Sequence, residues 1–167
     1  MIRRCLLLAL VGFACKSQSP GPDPSSAPAP GEPLRFAFGT IDGEVLSSEN
    51  TRGRVTTILF LTTFDLSSQV AARHLEGAFR SHKPKFNALA VVLETAENRV
   101  LADVFRRTMR LDYPVAIADR VELRSSAFRQ IDRVPTLVVL DRAGRERVRK
   151  SGVFEASELE RWLEQAD

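Results

Sequence analysis

The most constraining stretch of this chain is an apolar run, Val55 to Leu61, that stops at a short polar turn and gives way to a helical pattern from Val70 to Phe79. The turn reads Thr62-Thr63-Phe64-Asp65-Leu66-Ser67-Ser68-Gln69. A charge-free run rich in β-branched and aliphatic residues reads as a central strand buried on both faces of a sheet. A buried strand that feeds a helix through a polar turn is the repeating unit of α/β domains. Such turns are also where those domains place their chemistry, because free N–H groups and the positive end of the helix dipole converge there. This turn holds no cysteine, no histidine and no glycine-rich cradle. Asp65, Ser67 and Ser68 are each suited to cap the helix by accepting a bond from an orphan N–H.

The elements around this unit follow from periodicity. Leu34, Phe36 and Phe38 alternate as in a strand, Asp42-Gly43 turns the chain, and Glu44-Val45-Leu46 returns as a second strand. Val70, Ala71, His74, Leu75, Ala78 and Phe79 share one face of the helix, which Pro84 closes. Phe86 to Leu93 is a second central strand. Val100, Leu101, Val104, Phe105, Thr108 and Met109 form the next helical stripe. Pro114 to Ala118 reads as a short strand, Val121 to Gln130 as a short helix and Thr136 to Leu140 as an apolar strand. Arg145 to Lys150 alternates after the turn Asp141-Arg142-Ala143-Gly144. Ser157 with Glu160 predicts a capping box for a last helix carrying Leu159, Trp162, Leu163 and Ala166. Strands interleaved with helices predict one α/β domain from Leu34 to Asp167, with a mixed sheet and helices on both faces.

The first 33 residues belong to no such domain. Met1 to Arg4 is a positive start, and Cys5 to Ala14 is an apolar run too short to span a bilayer, so residues 1–14 read as a signal peptide. Val11-Gly12-Phe13-Ala14-Cys15-Lys16 resembles a bacterial lipobox with Cys15 as the lipidated residue. Gly12 and Phe13 depart from that pattern, and an ordinary signal peptide cut nearby is the alternative. Residues 15–33 form a tether: six of the nine prolines lie between Lys16 and Pro33, a composition that stays extended rather than burying a core. At about 3.1 Å per residue in polyproline II it would reach on the order of 50 Å. The anchor would set the domain in the bacterial envelope facing the periplasm, and Lys16, where some lipoproteins carry a retaining aspartate, tilts toward the outer membrane.

The net charge is +3, and two of its cations, Arg3 and Arg4, belong to the leader. The rest has too little field to draw in nucleic acid, so no nucleic-acid partner is expected. Cys5 and Cys15 are the two cysteines, so from Lys16 onward there is neither a disulfide nor a thiolate.

Three stretches carry a family resemblance. They are Phe36 to Val45 with Thr51-Arg52-Gly53-Arg54-Val55, then Phe60-Leu61-Thr62-Thr63-Phe64, and, most specific, Arg133-Val134-Pro135-Thr136 through Gly144. Together they resemble the thioredoxin-like superfamily, in its TlpA-type and redoxin branch. The resemblance implies a central mixed sheet with helices on both faces, an N-terminal β-hairpin extension and a cis peptide before Pro135. It also implies that the family's Cys-x-x-Cys falls on Asp65 and Ser68. Peroxiredoxin relatives would place their reactive cysteine near Asp65 too, with Thr62 in support. A carboxylate and a hydroxyl supply no sulfur nucleophile, so neither disulfide exchange nor peroxide reduction carries over.

Other chemistries fare worse. Asp65, Ser67, Ser68 and His74 are the residue types of a hydrolytic triad, but His74 lies two turns into the helix, away from the serines. His74 reads as a half-buried helix residue and His82 as a solvated one; two turns apart they make a poor metal site. No metal and no cofactor is expected. The basic run Arg142, Arg145, Arg147, Arg149 and Lys150 reads as a charge-protected edge strand. What remains is a binding surface for an envelope protein or an extended peptide, with Val134 and Pro135 offering a backbone edge and Phe64 and Leu66 an apolar rim. Two functions follow. The first is a membrane-anchored, redox-inactive binding or scaffold lipoprotein. The second is an oxidoreductase whose sulfur chemistry is unconventional or supplied by a partner.

Overall fold

The computed structural model describes residues 31–82, 85–124 and 126–167. The signal peptide, Cys15, most of the tether and Pro84 lie outside the described residues. Strands β1 (Ala37–Gly39) and β2 (Val45–Ser47) form the expected hairpin. The central strand β3 (Val55–Leu61) is followed by α1 (Leu66–His82), β4 (Phe86–Val92), a 3₁₀ turn (Ala96–Asn98) and α2 (Arg99–Met109). Then come β5 (Val115–Ile117), α3 (Arg120–Arg124), β6 (Thr136–Leu140), β7 (Glu146–Ser151) and α4 (Ala156–Ala166).

Five strands form one mixed sheet in the order β5-β4-β3-β6-β7. β3 runs parallel to β4, β4 parallel to β5, and β6 antiparallel to both β3 and β7. The two apolar runs, β3 and β6, are buried at every position and lie side by side at the centre, as both-faces burial requires. The hairpin joins the β5 edge, where the Ile41 amide donates to the Val115 carbonyl at 2.8 Å. At the other side the Leu34 amide donates to the Gly144 carbonyl at 2.8 Å.

Alternate residues of β3 serve two cores. Val55, Leu59 and Leu61 face α1, α2 and α4 through Ala71, Leu75, Ala102, Phe105, Leu159 and Leu163. Ile58 and Phe60 face Phe36, Phe38, Leu123 and Phe128. The Phe60 and Phe128 rings lie 5.0 Å apart by centroids, in a cluster that ties the N-terminal hairpin to the sheet. Each large side chain buried here contributes roughly 1.5–3 kcal/mol.

Three sequence expectations shift. The last helix begins at Ala156, so the capping box is Glu155 with Glu158, not Ser157 with Glu160. Glu155 has the extended backbone a cap requires, with φ −84° and ψ 152°, whereas Ser157 is already helical. The expected helix from Val121 to Gln130 is only α3 with turns behind it. There the Ser126 hydroxyl accepts the Phe128 amide and donates to the Leu123 carbonyl, a local pattern that competes with helix. On α2 the buried residues are Ala102, Phe105 and Met109, while Val100, Leu101 and Val104 of the expected stripe are exposed.

Candidate functional site

The sheet register assembles the site at one edge. Leu61, the last residue of β3, pairs with Val92, and the Leu93 amide donates to the Leu61 carbonyl at 2.8 Å. Phe60 pairs with Thr136, the first residue of β6. The 62–65 turn, the chain after β4 and the loop before β6 therefore leave the sheet together. In that loop the Val134–Pro135 peptide is cis, as the resemblance implies. Pro135 is buried and its carbonyl accepts the Gly152 amide at 2.8 Å, while Val134 is half-buried. The Thr136 hydroxyl donates to the Arg133 carbonyl at 2.8 Å and fixes the loop from below.

Asp65 is the residue that caps α1. Its Oδ2 accepts both the amide and the hydroxyl of Ser68, each at 2.8 Å. An aspartate at the cap position with its acceptor on the third helical amide is the favoured helix start. Ser68 is fully buried, and its Oγ also accepts the Thr62 amide at 3.3 Å. The two residues at the expected cysteine positions thus bond to each other and close the turn. Ser67, next to them, is half-buried.

The turn has a second support that sequence reading missed. Glu94, just past β4, is buried, and its Oε1 accepts the Thr63 amide at 2.8 Å and the Thr63 hydroxyl at 2.7 Å. Its Oε2 and the buried Thr62 hydroxyl have no hydrogen-bond partner among the described residues. A glutamate placed directly after an apolar strand was the available signal, since a charge there must find donors or reach water. Thr62 does not bond to Asp65, so the supporting-threonine role has no counterpart here.

Phe64 and Leu66 flank the cap and are 79% and 72% exposed, which puts two large apolar side chains on the rim beside the cis-proline loop. The triad types stay apart: His74 Nδ1 lies 2.5 Å from the Phe154 carbonyl, and Ser68 is committed to Asp65. His74 is half-buried, as expected. His82 is not the solvated residue expected: it is half-buried, its Nδ1 is 3.0 Å from the Ala78 carbonyl, and its ring packs beside Phe86. It lines a cavity of about 580 Å³ with Arg54, Arg142 and Asp167, at the end of the sheet where β3 and β4 begin, away from the 62–68 turn. Among the described residues no group of three or more His, Cys, Asp or Glu could hold a metal ion, and no helix is long and apolar enough to cross a membrane. With no cysteine after Cys15, the turn carries exposed apolar side chains, and neither the turn nor the loop has a thiol of its own.

No protein-family model matches the chain. It is 22% identical to the sporulation thiol-disulfide oxidoreductase A of Bacillus subtilis, over 99% of both chains. Among solved structures it resembles a thiol:disulfide interchange protein of the thioredoxin family from Chlorobium tepidum. There the TM-score is 0.71 at 20% identity, covering 84% of this chain and 99% of that one. It also resembles a secreted Mycobacterium tuberculosis disulfide oxidoreductase, with a TM-score of 0.65 at 13% identity, covering 78% of this chain and 95% of the other. At such identities the structural likeness establishes the architecture. The chain has a thioredoxin-like fold.

Proposed function

We propose that the protein works in extracytoplasmic thiol–disulfide exchange as a thioredoxin-like binding partner that supplies no sulfur itself. An extended segment of another envelope protein lies along the cis Val134–Pro135 loop and against Phe64 and Leu66. The thiolate, the disulfide and the transferred electron pair all belong to the proteins it brings together, and this chain forms no covalent bond. The observation that carries the reading is the meeting, at one sheet edge, of the cis-proline loop and the 62–66 turn in a domain that has no cysteine after Cys15. The named relatives support a tie to disulfide chemistry over a scaffold unconnected to it. The secreted relative supports a place outside the cytoplasm, and we propose Cys15 as the lipid anchor that keeps the domain in the envelope.

A second reading, a scaffold with no redox role, is favoured by one detail: Asp65 and Ser68 satisfy each other as a helix cap, so nothing at those positions is left for chemistry.

Three measurements test the first reading. Dithiothreitol-driven insulin reduction by the purified protein is expected to match a no-protein control, and turnover above it would mean that the chain catalyses exchange directly. Titration with extended cysteine-containing peptides, followed by amide chemical shifts, is expected to perturb residues 62–66 and 133–136. Phe64→Ala with Leu66→Ala should weaken that binding; an unchanged affinity rejects the rim. Labelling with a palmitate analogue in the host should disappear in Cys15→Ala.

A further inference from the structure

Helix α2 has two apolar faces, and the fold uses one. Ala102, Phe105 and Met109 pack into the core, whereas Val100, Leu101 and Val104 are 72%, 52% and 53% exposed. At about 100° per residue, Val100, Val104 and Arg107 line up on the side of the helix opposite Ala102 and Phe105, with Leu101 beside them. Among the described residues, nothing covers these three aliphatic side chains. A solvated helix face is ordinarily polar, so an apolar centre within two turns marks a contact surface.

The charges bordering that centre select the occupant. Glu97, in the 3₁₀ turn that leads into α2, is exposed at the start of the face, and Arg107 is exposed near its end. The face is therefore acidic at one end, apolar in the middle and basic at the other, a pattern complementary to itself when reversed. We propose that α2 pairs with α2 of a second copy of this chain, antiparallel, about a twofold axis near Ala102. That arrangement sets Val100 against the partner's Val104 twice at the centre. It also sets Glu97 against the partner's Arg107 at each end. A parallel arrangement would instead bring Glu97 to Glu97 and Arg107 to Arg107. Arg107 already holds Asp103 at 2.8 Å, and its guanidinium has five donors, so it bridges Asp103 and the partner's Glu97 together. An isologous contact of this kind closes at two subunits.

The face from Glu97 to Arg107 is about 15 Å long. Two helices meeting over that length bury less than the ~1,200 Å² of a standard stable interface, so the dimer is weak and depends on concentration. This inference stands apart from the proposed peptide edge and uses none of its residues.

Sedimentation equilibrium of the purified protein, from tens of micromolar to about 1 mM, should show the weight-average mass rising from one chain toward two. Val104→Asp, at an exposed position that leaves the far-UV circular dichroism unchanged, should abolish the rise. Glu97→Arg or Arg107→Glu alone should weaken association by about tenfold at low salt, since each puts like charges together. The double charge swap should restore it. A mass of one chain at every concentration overturns the proposal. So does association that survives Val104→Asp, or that the swap fails to rescue.

Discussion

Two glutamates, one near each end of α1, are buried to nearly the same extent and are used in opposite ways. Glu76, toward the C-terminal end, spends both oxygens. Oε1 accepts the Arg80 Nε at 2.5 Å, and Oε2 accepts the Asp112 amide at 2.9 Å. Arg80 in turn reaches Asp112 at 3.2 Å and donates to the Arg110 carbonyl. The hydrogen bond to Glu76, followed by the charge of Asp112, raises the pKa of the Arg80 guanidinium above its ordinary value. Glu94, beside the N-terminal end of α1, spends one oxygen on Thr63 and leaves the other, like the buried Thr62 hydroxyl, without a hydrogen-bond partner among the described residues. The first carboxylate locks α1 to the loop after α2, a purely architectural joint. The second holds the turn at the proposed binding edge and leaves capacity unused. Complete satisfaction marks the structural end of the helix; partial satisfaction marks the end at which we propose that a partner binds.

Substitutions break this contrast in order of size. Glu76→Ala should cost about 2–3 kcal/mol, because the Asp112 amide and the Arg80 cluster lose their acceptor together, and urea unfolding would read it. Glu94→Ala should cost less, about 1–2 kcal/mol, with faster amide exchange at Thr63, while Glu94→Gln, which keeps one acceptor oxygen, falls between it and the natural protein. A Glu94→Ala loss equal to that of Glu76→Ala would erase the distinction. Asp65→Ala removes the cap and should cost about 1 kcal/mol, and Asp65→Asn should recover most of it.

The smallest effect at neutral pH belongs to Tyr113, whose hydroxyl donates to the Ala72 carbonyl at 3.1 Å inside the same helix contact. Burial, and then the charge of Glu76, push the Tyr113 pKa well above its ordinary value. The unfolded chain ionises this phenol near pH 10 while the folded one does not. Its contribution is thus complete below that pH and is lost as pH rises toward the folded value. Tyr113→Phe should cost up to about 1 kcal/mol at pH 7 and flatten the decline of stability above pH 10, as paired urea titrations at the two pH values would show.

Much of this was legible in the chain alone. Val55 to Leu61 and Thr136 to Leu140 carry no charge and, apart from three threonines, are apolar, which is the pattern of strands covered on both faces, and both occupy the sheet centre. The cap at Asp65 was legible because a capping bond spans three residues. So was the proline loop, through the resemblance that Arg133 to Gly144 carries. The same local logic misplaced the capping box by two residues, since it could not see that Phe154 is buried beside His74 and Trp162, just before the helix starts.

Sequence by itself determined the order of elements, the two-faced central strands, the helix start at the turn and the absence of cysteine from the folded domain. These depend on periodicity, on bonds a few residues long, or on composition. Tertiary structure decided which apolar face of α2 enters the core, where the larger Phe105 and Met109 displaced Val100 and Val104. It also decided that Glu94 would meet Thr63, 31 residues away in the chain, and that the cis-proline loop would lie beside the Asp65 turn. Such outcomes rest on which strands become neighbours, and strand pairing is settled by the burial of the whole sheet rather than by any single stretch.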